Sequence, residues 1–395
     1  MKGVPGYAEA IANAHSARQR PRCLCVPEGI ETYVARLAGP HGGYIVKRMP
    51  NTGHLHATTC PSYELPPDHS GLGLMLGSAI VEDPETGETL LKLNFSLTKL
   101  PGRAQMPPTG GESATVTSDG TKLSLRGLLH YLWDQAELNR WHPGFSGKRS
   151  WGTVRKYLLM AAANKIARGN SLLSRLYIPE AFSVEQRDAI NARRQAQWHN
   201  AIAEPGKPQQ LMLLICEVKE IAPARFGFKA TVKHAPDQPF ALDEQLYRRL
   251  GQHFEPELAL WSAVQNIHLV MIATFSVSHA GLPTIIELSL MPVTGQWLPI
   301  EDAFEKQLID RLVADGRSFV KGLRYDLSTA QALASATLTD CDGAAPTLFL
   351  VRSGIADASQ QRQFSEAATP VWEWDPFSEA MPSLPARHPH PLSVA

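Results

Sequence analysis

The chain has 395 residues, enough for two or three domains with buried cores. Its 38 basic and 38 acidic residues balance, so the protein is not a polycation, and any contact with nucleic acid must come from local charge. The sequence has no apolar run approaching about 18 residues and no apolar leader segment, so we expect a cytoplasmic protein without a membrane span.

The N-terminal part of the chain predicts a short arm followed by a small β-rich unit. Residues 1–22 form the arm. Residues 23–105 contain two pairs of alternating segments that are typical of hairpins, ETYVARL with GYIVKRM and AIVEDP with TLLKLNFSL. By composition, the Pro/Gly-rich residues 101–121 form a linker.

Residues 122–205 predict a helical module. The first helix has an apolar face made of Leu125, Leu128, Leu129, Leu132 and Ala136. A second helix is expected to be capped by Ser150 and to end near Gly169, and a third covers about Val184 to His199. Two or three helices of which the second is basic favour a winged-helix-like or helix-turn-helix arrangement.

Residues 206–379 predict a mixed α/β domain. The segments LMLLICEVK, FKATVKH, HLVMIATFSV and TIIELSLMPV are expected to be strands, and ALDEQLYRRLGQHF a helix that Pro256 ends. Residues 301–375 predict the order helix, three strands, helix and strand. The Pro-rich tail 380–395 is expected to be disordered. The chain is therefore expected to be an α+β multidomain protein with a zinc-stabilised β-rich N-terminal unit, a helical middle and a mixed α/β C-terminal domain.

A cluster of cysteines and histidines lies in the N-terminal unit. RCLCVPEG carries Cys23 and Cys25, and GHLHATTC carries His54, His56 and Cys60. A hairpin between the two segments can bring them together, and thiolates and imidazoles are the ligands that zinc prefers. The predicted ligands are Cys23, Cys25, His56 and Cys60, with His54 as a competing fourth ligand.

Two other interpretations of this cluster stay open. The cysteines could form a redox pair, or they could be buried thiols that pack as small apolar side chains. A structural disulfide is disfavoured because cysteines in the cytoplasm are usually reduced. Four protein ligands would close a zinc site, and closed sites are structural, so Zn²⁺ is expected to stabilise the fold rather than to react.

The middle of the chain is locally basic. Between Leu138 and Pro179 there are eight Lys or Arg residues and no acid. The N-terminus of the second helix, with its free backbone N–H groups, would suit a phosphate, and Trp151 would present a flat surface for a sugar or base. The candidate nucleic-acid contacts are Arg140, Lys148, Arg149, Trp151, Arg155 and Lys156. The alternatives are a solvated basic face or a patch that docks an acidic surface.

The element order of residues 301–375 resembles the core of the restriction-endonuclease-like (PD-(D/E)xK) superfamily. In that superfamily an acid on the second strand and an acid-x-Lys on the third bind the catalytic metal. Here Ser335 stands where the first acid is expected, and the third strand, TLFLVRSG, has no acid. Asp340 and Asp342 lie in the turn, and Glu305 lies alone on the helix. The resemblance therefore implies a nuclease-like core that has lost its site.

Over nearly its full length the chain resembles a bacterial family catalogued as domain of unknown function 1173. The segments that carry this resemblance are CLCVPEGIETYVARL, YIVKRMPNTGHLHATTCPSYE, GLLHYLWDQAELNRW, GKRSWGTVR, CEVKEIAPARFGFK and RSFVKGLRY. The resemblance implies three N-terminal cysteines, a link to mobile genetic elements, and a histidine at position 56 rather than 54. It implies no activity.

These observations favour a zinc-stabilised, DNA-binding accessory protein of a mobile element with no recognisable catalytic site. One alternative is a protein-interaction scaffold whose basic patch meets an acidic partner. Another is a metal-dependent nuclease with displaced acids. The sequence indicates neither the nucleic-acid preference nor the oligomeric state.

Overall fold

A computed structural model describes residues 5–36, 43–66, 70–100, 120–329, 331–341, 345–351 and 370–388. Within these ranges the fold is mixed α+β. The α-helices are α1 (Tyr7–Ser16), α2 (Leu72–Met75), α3 (Leu125–Gln135), α4 (Trp151–Ala162), α5 (Arg187–Trp198), α6 (Glu244–His253), α7 (Glu255–Ala263) and α8 (Ala303–Ala314).

The strands are β1 (Arg22–Cys23), β2 (Ile30–Arg36), β3 (Tyr44–Arg48), β4 (Ile80–Glu82), β5 (Thr89–Leu91), β6 (Thr98–Lys99), β7 (Arg140–Trp141), β8 (Lys165–Ala167), β9 (Asn170–Ser171), β10 (Leu176–Tyr177), β11 (Gln209–Gln210), β12 (Met212–Pro223), β13 (Phe228–Val232), β14 (Ala235–Leu242), β15 (Ile267–Val277), β16 (Pro283–Thr294), β17 (Phe319–Lys321), β18 (Ala336–Leu338), β19 (Thr347–Leu350) and β20 (Val371–Trp374). None of the described helices is long and apolar enough to cross a bilayer.

Local sequence patterns account for most of these elements. The two predicted N-terminal hairpins are present as the antiparallel pairs β2–β3 and β4–β5. Ser150 caps α4 as expected, and Asp243 caps α6. Pro256 lies in the first turn of α7, so it begins a helix as well as ending one. The predicted turn GPHGG, most of the linker and the helix predicted near 356–367 lie outside the described residues.

Strands β12 to β16 form a closed barrel. Each is hydrogen-bonded to the next in the order β12, β13, β14, β16, β15, and β15 pairs back to β12. All pairings are antiparallel except β14–β16, and α6 and α7 lie between β14 and β15. If β12 to β16 are numbered 1 to 5 along the chain, their order around the barrel is 1-2-3-5-4-1. The connection between strands 3 and 4 is helical. That is the topology of the OB fold.

The barrel explains the unbroken apolar sequence of its strands. Along β12, Leu214 and Cys216 face the barrel interior, while Leu213 and Ile215 face a second core beneath α3 and α4. A strand that is buried on both faces has no polar side to alternate with. The sequence segment LMLLICEVK therefore predicts a strand but not the closed barrel.

The C-terminal residues form a separate mixed sheet in the order β20-β19-β18-β17-β7. β17, β18 and β19 are antiparallel neighbours, and β20 runs parallel to β19. α8 precedes this sheet and packs on it through Leu308, Ile309 and Leu312. The described elements keep the predicted order of a helix, three strands and a final strand.

The predicted division into separate domains is not confirmed. β7, from the middle segment, pairs with β17, and β10 pairs with β12. β8 continues the sheet that β5 begins, and one core joins residues 72 to 325. The winged-helix arrangement is not confirmed either, because β7 pairs with β17 while the β8–β9 hairpin pairs with β5.

The prediction of a disordered tail is wrong for residues 380–388. The Pro385 carbonyl accepts a hydrogen bond from Arg317 Nη1 at 2.8 Å, and the His388 backbone N–H donates to the Asp340 carbonyl at 2.8 Å. Trp372 Nε1 donates to the Ser383 carbonyl. These bonds hold the Pro-rich segment against the sheet although it has no regular secondary structure. A Pro-rich composition alone therefore does not predict disorder here.

Candidate metal centre and nucleic-acid interface

The first half of the Cys/His cluster is a tight turn between two paired strands. Cys23 ends β1, where its backbone is registered opposite Ile30 of β2. Cys25 lies in the turn between them. Gly29 closes this turn with φ of +67°, a conformation that side chains with a Cβ rarely adopt. The two thiols are therefore held on one short loop.

The second half follows a short 3-10 helix, Gly53–Leu55. His56 comes directly after it, and the Cys60 backbone N–H donates to the Ala57 carbonyl at 2.8 Å, closing a further turn. The backbone N–H of Ser62 donates to Cys60 Sγ at 3.4 Å. Such N–H donors to sulfur stabilise a thiolate held in a turn.

The four predicted ligands converge. Cys23 Sγ lies 3.7 Å from Cys60 Sγ, and His56 Nδ1 lies 3.3 Å from Cys25 Sγ and 3.7 Å from Cys60 Sγ. All four ligand atoms lie within 4.8 Å of one another. Tetrahedral zinc with Zn–S bonds of about 2.3 Å and Zn–N bonds of about 2.0 Å requires S···S near 3.8 Å and S···N near 3.6 Å. The observed separations fit this geometry, and the cluster could hold a metal ion.

The geometry favours His56 over His54 as the fourth residue of the cluster, and the cluster contains no disulfide. His54 is exposed and is not part of the cluster, so His56 is the histidine that the fold brings to the cysteines. The Cys23–Cys60 separation of 3.7 Å is far longer than a disulfide bond of about 2.05 Å, and both cysteines are free thiols. Thiols that only pack as apolar side chains need not converge with a histidine on one point, as these four metal-ligating atoms do.

The protonation of the cluster agrees with a metal-ligating role. Burial raises the pKa of the Cys60 thiol to about 11, so its thiolate needs a nearby positive charge such as a bound cation. Burial opposes ionisation of Cys25 too, but hydrogen bonds from the Ala57 backbone and the neighbouring thiols outweigh it and lower its pKa. Burial lowers the pKa of His56, which keeps the imidazole neutral and able to ligate.

The centre lies against the C-terminal sheet. Cys60 packs with Tyr63, Leu65 and Val320, and Val320 belongs to β17. A metal bound here would therefore fix the N-terminal loops to one another and to a sheet formed by residues more than 250 positions later in the chain.

The whole chain can now be placed among known proteins. Residues 2–377 match the family described as "Protein of unknown function (DUF1173)". The chain belongs to this family. No curated protein and no solved structure matches it. The Cys/His cluster and the barrel must therefore be interpreted from their own geometry.

The structure corrects the expected role of Trp151. Its side chain is only 4% exposed, and its indole N–H donates to the Pro179 carbonyl at 2.8 Å. The ring stacks on His234 and lies against Trp297. The expectation of a flat exposed surface at this position is wrong, because Trp151 lies with Val154 and Leu158 on the face of α4 that packs into the core.

Several predicted basic contacts serve internal hydrogen bonds. Arg149 donates to the carbonyls of Leu138, Arg140 and Gln296, and burial lowers its pKa to about 10. Arg155 Nε donates to the Ile178 carbonyl at 2.9 Å. These guanidinium groups stabilise loop carbonyls that have no strand partner, so much of the positive charge is used inside the fold.

The remaining predicted contacts stay available. Lys148 and Lys156 are exposed, and Arg140 is half-buried with no ion-pair partner in the described part of the chain. A nucleic-acid surface on this module therefore stays a prediction. Of the six side chains proposed for it, Arg140, Lys148 and Lys156 are the ones not used in internal contacts described above.

The barrel presents a second surface that the sequence analysis did not single out. The β12–β13 hairpin carries Phe226, which is 84% exposed, with the Arg225 guanidinium 5.4 Å from its ring centroid. Lys229 on the outer face of β13 lies between Ala222 and Ala241 of the paired strands. The hairpin therefore presents an exposed ring beside two cations and small side chains, with Glu220 further along the same outer face.

Proposed function

We propose that the chain is a zinc-stabilised protein that binds single-stranded nucleic acid on the outer face of its barrel. The observation that carries this proposal is the closed five-stranded barrel with the exposed Phe226–Arg225 hairpin between its first two strands. Barrels of this topology use that hairpin and the second and third strands to bind oligonucleotides, an argument by analogy of fold. Here Phe226 would stack on a base, and Arg225 and Lys229 would contact phosphates.

The zinc would be structural. Four protein ligands leave no position for a reacting water, and the ligands come from two loops with few regular hydrogen bonds of their own. The free energy of binding one metal ion to four side chains would offset the entropy that these loops lose on folding. The metal would therefore stabilise the N-terminal unit and its contact with β17.

Metal analysis of the purified chain tests the zinc. We expect about one zinc per chain. His56→Ala should lose most of the metal, whereas His54→Ala, the same change two residues away at an exposed position, should keep it. A folded wild-type chain that takes up no zinc, or equal zinc in the two variants, would overturn this part of the proposal.

Fluorescence anisotropy with a labelled oligothymidylate tests the nucleic-acid interface. We expect binding that weakens as salt rises from about 50 to 200 mM. Phe226→Ala should weaken it by about 1–3 kcal/mol, the value of one base–aromatic stack. The matched control is Phe377→Ala, which removes another exposed ring, on the C-terminal segment. No binding by the zinc-loaded chain at micromolar concentration would refute the interface.

The basic helical module is the competing interface. Its exposed Lys148 and Lys156 support a duplex-binding or protein-docking role. The double variant Lys148→Glu, Lys156→Glu should leave oligothymidylate binding unchanged if the barrel is the contact. Loss of duplex binding in this variant would instead favour the module. Loss of a co-purifying acidic protein, with nucleic-acid binding intact, would favour the scaffold alternative.

We also propose that the sheet β17–β20 is a nuclease-like core without a catalytic site. Its strand order and directions support the resemblance. Ser335 is fully buried, and Glu305 forms a buried ion pair with Lys321 at 3.1 Å, which leaves that carboxylate engaged. Asp340 is held by Arg317, and Asp342 lies outside the described residues. Magnesium-dependent cleavage that disappears in Asp340→Ala would contradict the proposal. A mobile-element setting, implied by the family resemblance, is part of the same proposal.

A further inference from the structure

A cavity of about 740 Å³ lies beside the metal centre. Its walls come from residues 58–61, 137–145, 318–320 and 339–341, with Arg387 and His388 on the C-terminal segment. Small-molecule sites in proteins usually occupy about 300–1,000 Å³. Neither the metal centre nor the barrel face accounts for a cavity of this size.

The charges around the cavity favour an anion. Arg140 and Arg387 line it, and so do Asp340 and Glu137. Asp340 is already neutralised, because the Arg317 guanidinium donates to both carboxylate oxygens at 2.8–3.1 Å from behind the wall. Arg387 Nε also lies 3.7 Å from Asp340 Oδ2, so two guanidinium groups share that carboxylate. Arg140 makes no ion pair with another described residue, and its charge acts on the buried Asp134.

The same cavity offers a ring-binding wall. Phe145 and His142 contact each other with ring centroids 3.8 Å apart, and Trp141 lies behind Phe145 at 6.3 Å. The Arg149 guanidinium covers the Phe145 ring 5.1 Å from its centroid. The Phe145 ring is flanked by His142 and Arg149, so the exposed ring of His142 is the surface on which a planar ligand could stack, beside Phe145.

We propose that this cavity binds a nucleotide, with its phosphate at Arg140 and Arg387 and its base against Phe145 and His142. The threonine hydroxyls of residues 58 and 59 would complete the phosphate contacts. A free nucleoside monophosphate and the 5′-phosphorylated end of a single strand share this chemistry. If the ligand is the 5′-phosphorylated end of a strand, the inference rests on the proposed function, because the barrel would bind the strand whose end enters the cavity.

The metal centre and the cavity share a wall. Cys60 is a ligand of the cluster and also lines the cavity, as do its neighbours Thr58 and Thr59. Zinc would therefore order the loop that contacts the phosphate, so nucleotide affinity should fall when the metal is removed.

Calorimetric titration of the zinc-loaded full chain tests the proposal, with adenosine 5′-monophosphate, adenosine, and oligothymidylate with and without a 5′-phosphate as probes. We expect the monophosphate to bind at least about tenfold more tightly than adenosine. Arg140→Gln should weaken it by about tenfold, and Arg175→Gln, a half-buried arginine away from the cavity, should not. His142→Ala is a second variant that should weaken binding, and its urea midpoint shows whether loss of the Nδ1 cap on the Gly144 N–H changes stability.

The probes also distinguish a free nucleotide from the 5′-phosphorylated end of a strand as the ligand. Tighter binding of the 5′-phosphorylated than of the unphosphorylated strand would identify a strand end as the ligand, and equal affinities of the two strands beside tight binding of the monophosphate would identify a free nucleotide. Absence of binding by either phosphorylated probe at millimolar concentration, or affinities unchanged in both Arg140→Gln and His142→Ala, would overturn the proposal. Phe226→Ala with the unphosphorylated strand tests the barrel alone, so either idea can fail without the other.

Discussion

Gly71 lies in close contact with the chain after β17, and replacing it with alanine tests that contact. The Gly71 backbone N–H donates to the Leu323 carbonyl at 3.0 Å. A Cβ added here would lie 2.0 Å from the Arg324 carbonyl oxygen and 2.9 Å from Tyr325 Cβ. The backbone of Gly71 is helical, with φ of −65°, so alanine meets no conformational strain. Any loss of stability must therefore be steric.

The loss of stability depends on which of the two backbone segments can shift to relieve the clash. A carbon–oxygen contact needs about 3.2 Å, so one backbone must shift by more than about 1 Å. Arg324 cannot shift easily, because its guanidinium donates to both Glu301 carboxylate oxygens and to the Ser328 and Gln331 carbonyls. Overpacking of this kind destabilises by about 1–3 kcal/mol, and the stretched hydrogen bond adds about 1 kcal/mol. We expect Gly71→Ala to lower the free energy of unfolding by about 3 kcal/mol.

Urea denaturation of the zinc-loaded chain, followed by tryptophan fluorescence, measures this change as a shift of the midpoint. Gly251→Ala is the matched control. It lies inside α6, a Cβ there would meet nothing within 4 Å, and alanine is favoured over glycine in a helix by about 1 kcal/mol. The control should be as stable as the wild type or more stable. If Gly71→Ala unfolds within about 0.5 kcal/mol of the wild type, the close contact with Arg324 does not exist.

Two further predictions concern buried titratable groups. Burial lowers the pKa of His130 to about 3 from 6.5, so its contribution to stability is complete above pH 6.5 and is lost as the pH falls towards 3. The wild type should therefore lose about 3 kcal/mol of unfolding free energy between pH 6.5 and 4 that His130→Gln does not lose. Urea titrations in which both proteins lose the same free energy over this range would contradict this. Burial lowers the pKa of Lys165 to about 7 from 10.5, so wild-type stability should rise from pH 7 to pH 9 by about 2 kcal/mol while the unfolded chain stays protonated. Lys165→Met should abolish that rise, and a rise that persists would show that Lys165 does not cause it.

The metal centre was the part of this protein that sequence reasoning located best. Cysteine and histidine are metal-ligating residues that rarely cluster by chance, and a hairpin of the right length separates Cys23 and Cys25 from Cys60. Spacing alone left His54 and His56 as rivals. The 3-10 helix before His56 decided between them, because it leaves His54 exposed.

The basic module shows where a local pattern is misleading. Charge segregation between Leu138 and Pro179 is a real feature of the sequence, but it does not show which way a side chain points. Arg149 and Arg155 donate to carbonyls of neighbouring loops, and Trp151 enters the core. These roles depend on which loops lie nearby, which no local pattern contains.

The sequence by itself determined the hairpins, the capped helices, the buried strands and the ligands of the metal centre, because each depends on residues close together or on chemistry that few residue types provide. Only the tertiary structure decided that β12 to β16 close into a barrel, since a strand buried on both faces has the same apolar sequence in a barrel as in an open sheet. It also decided the cavity beside the Cys/His cluster. Its walls come from five separate segments, and only long-range packing brings them together.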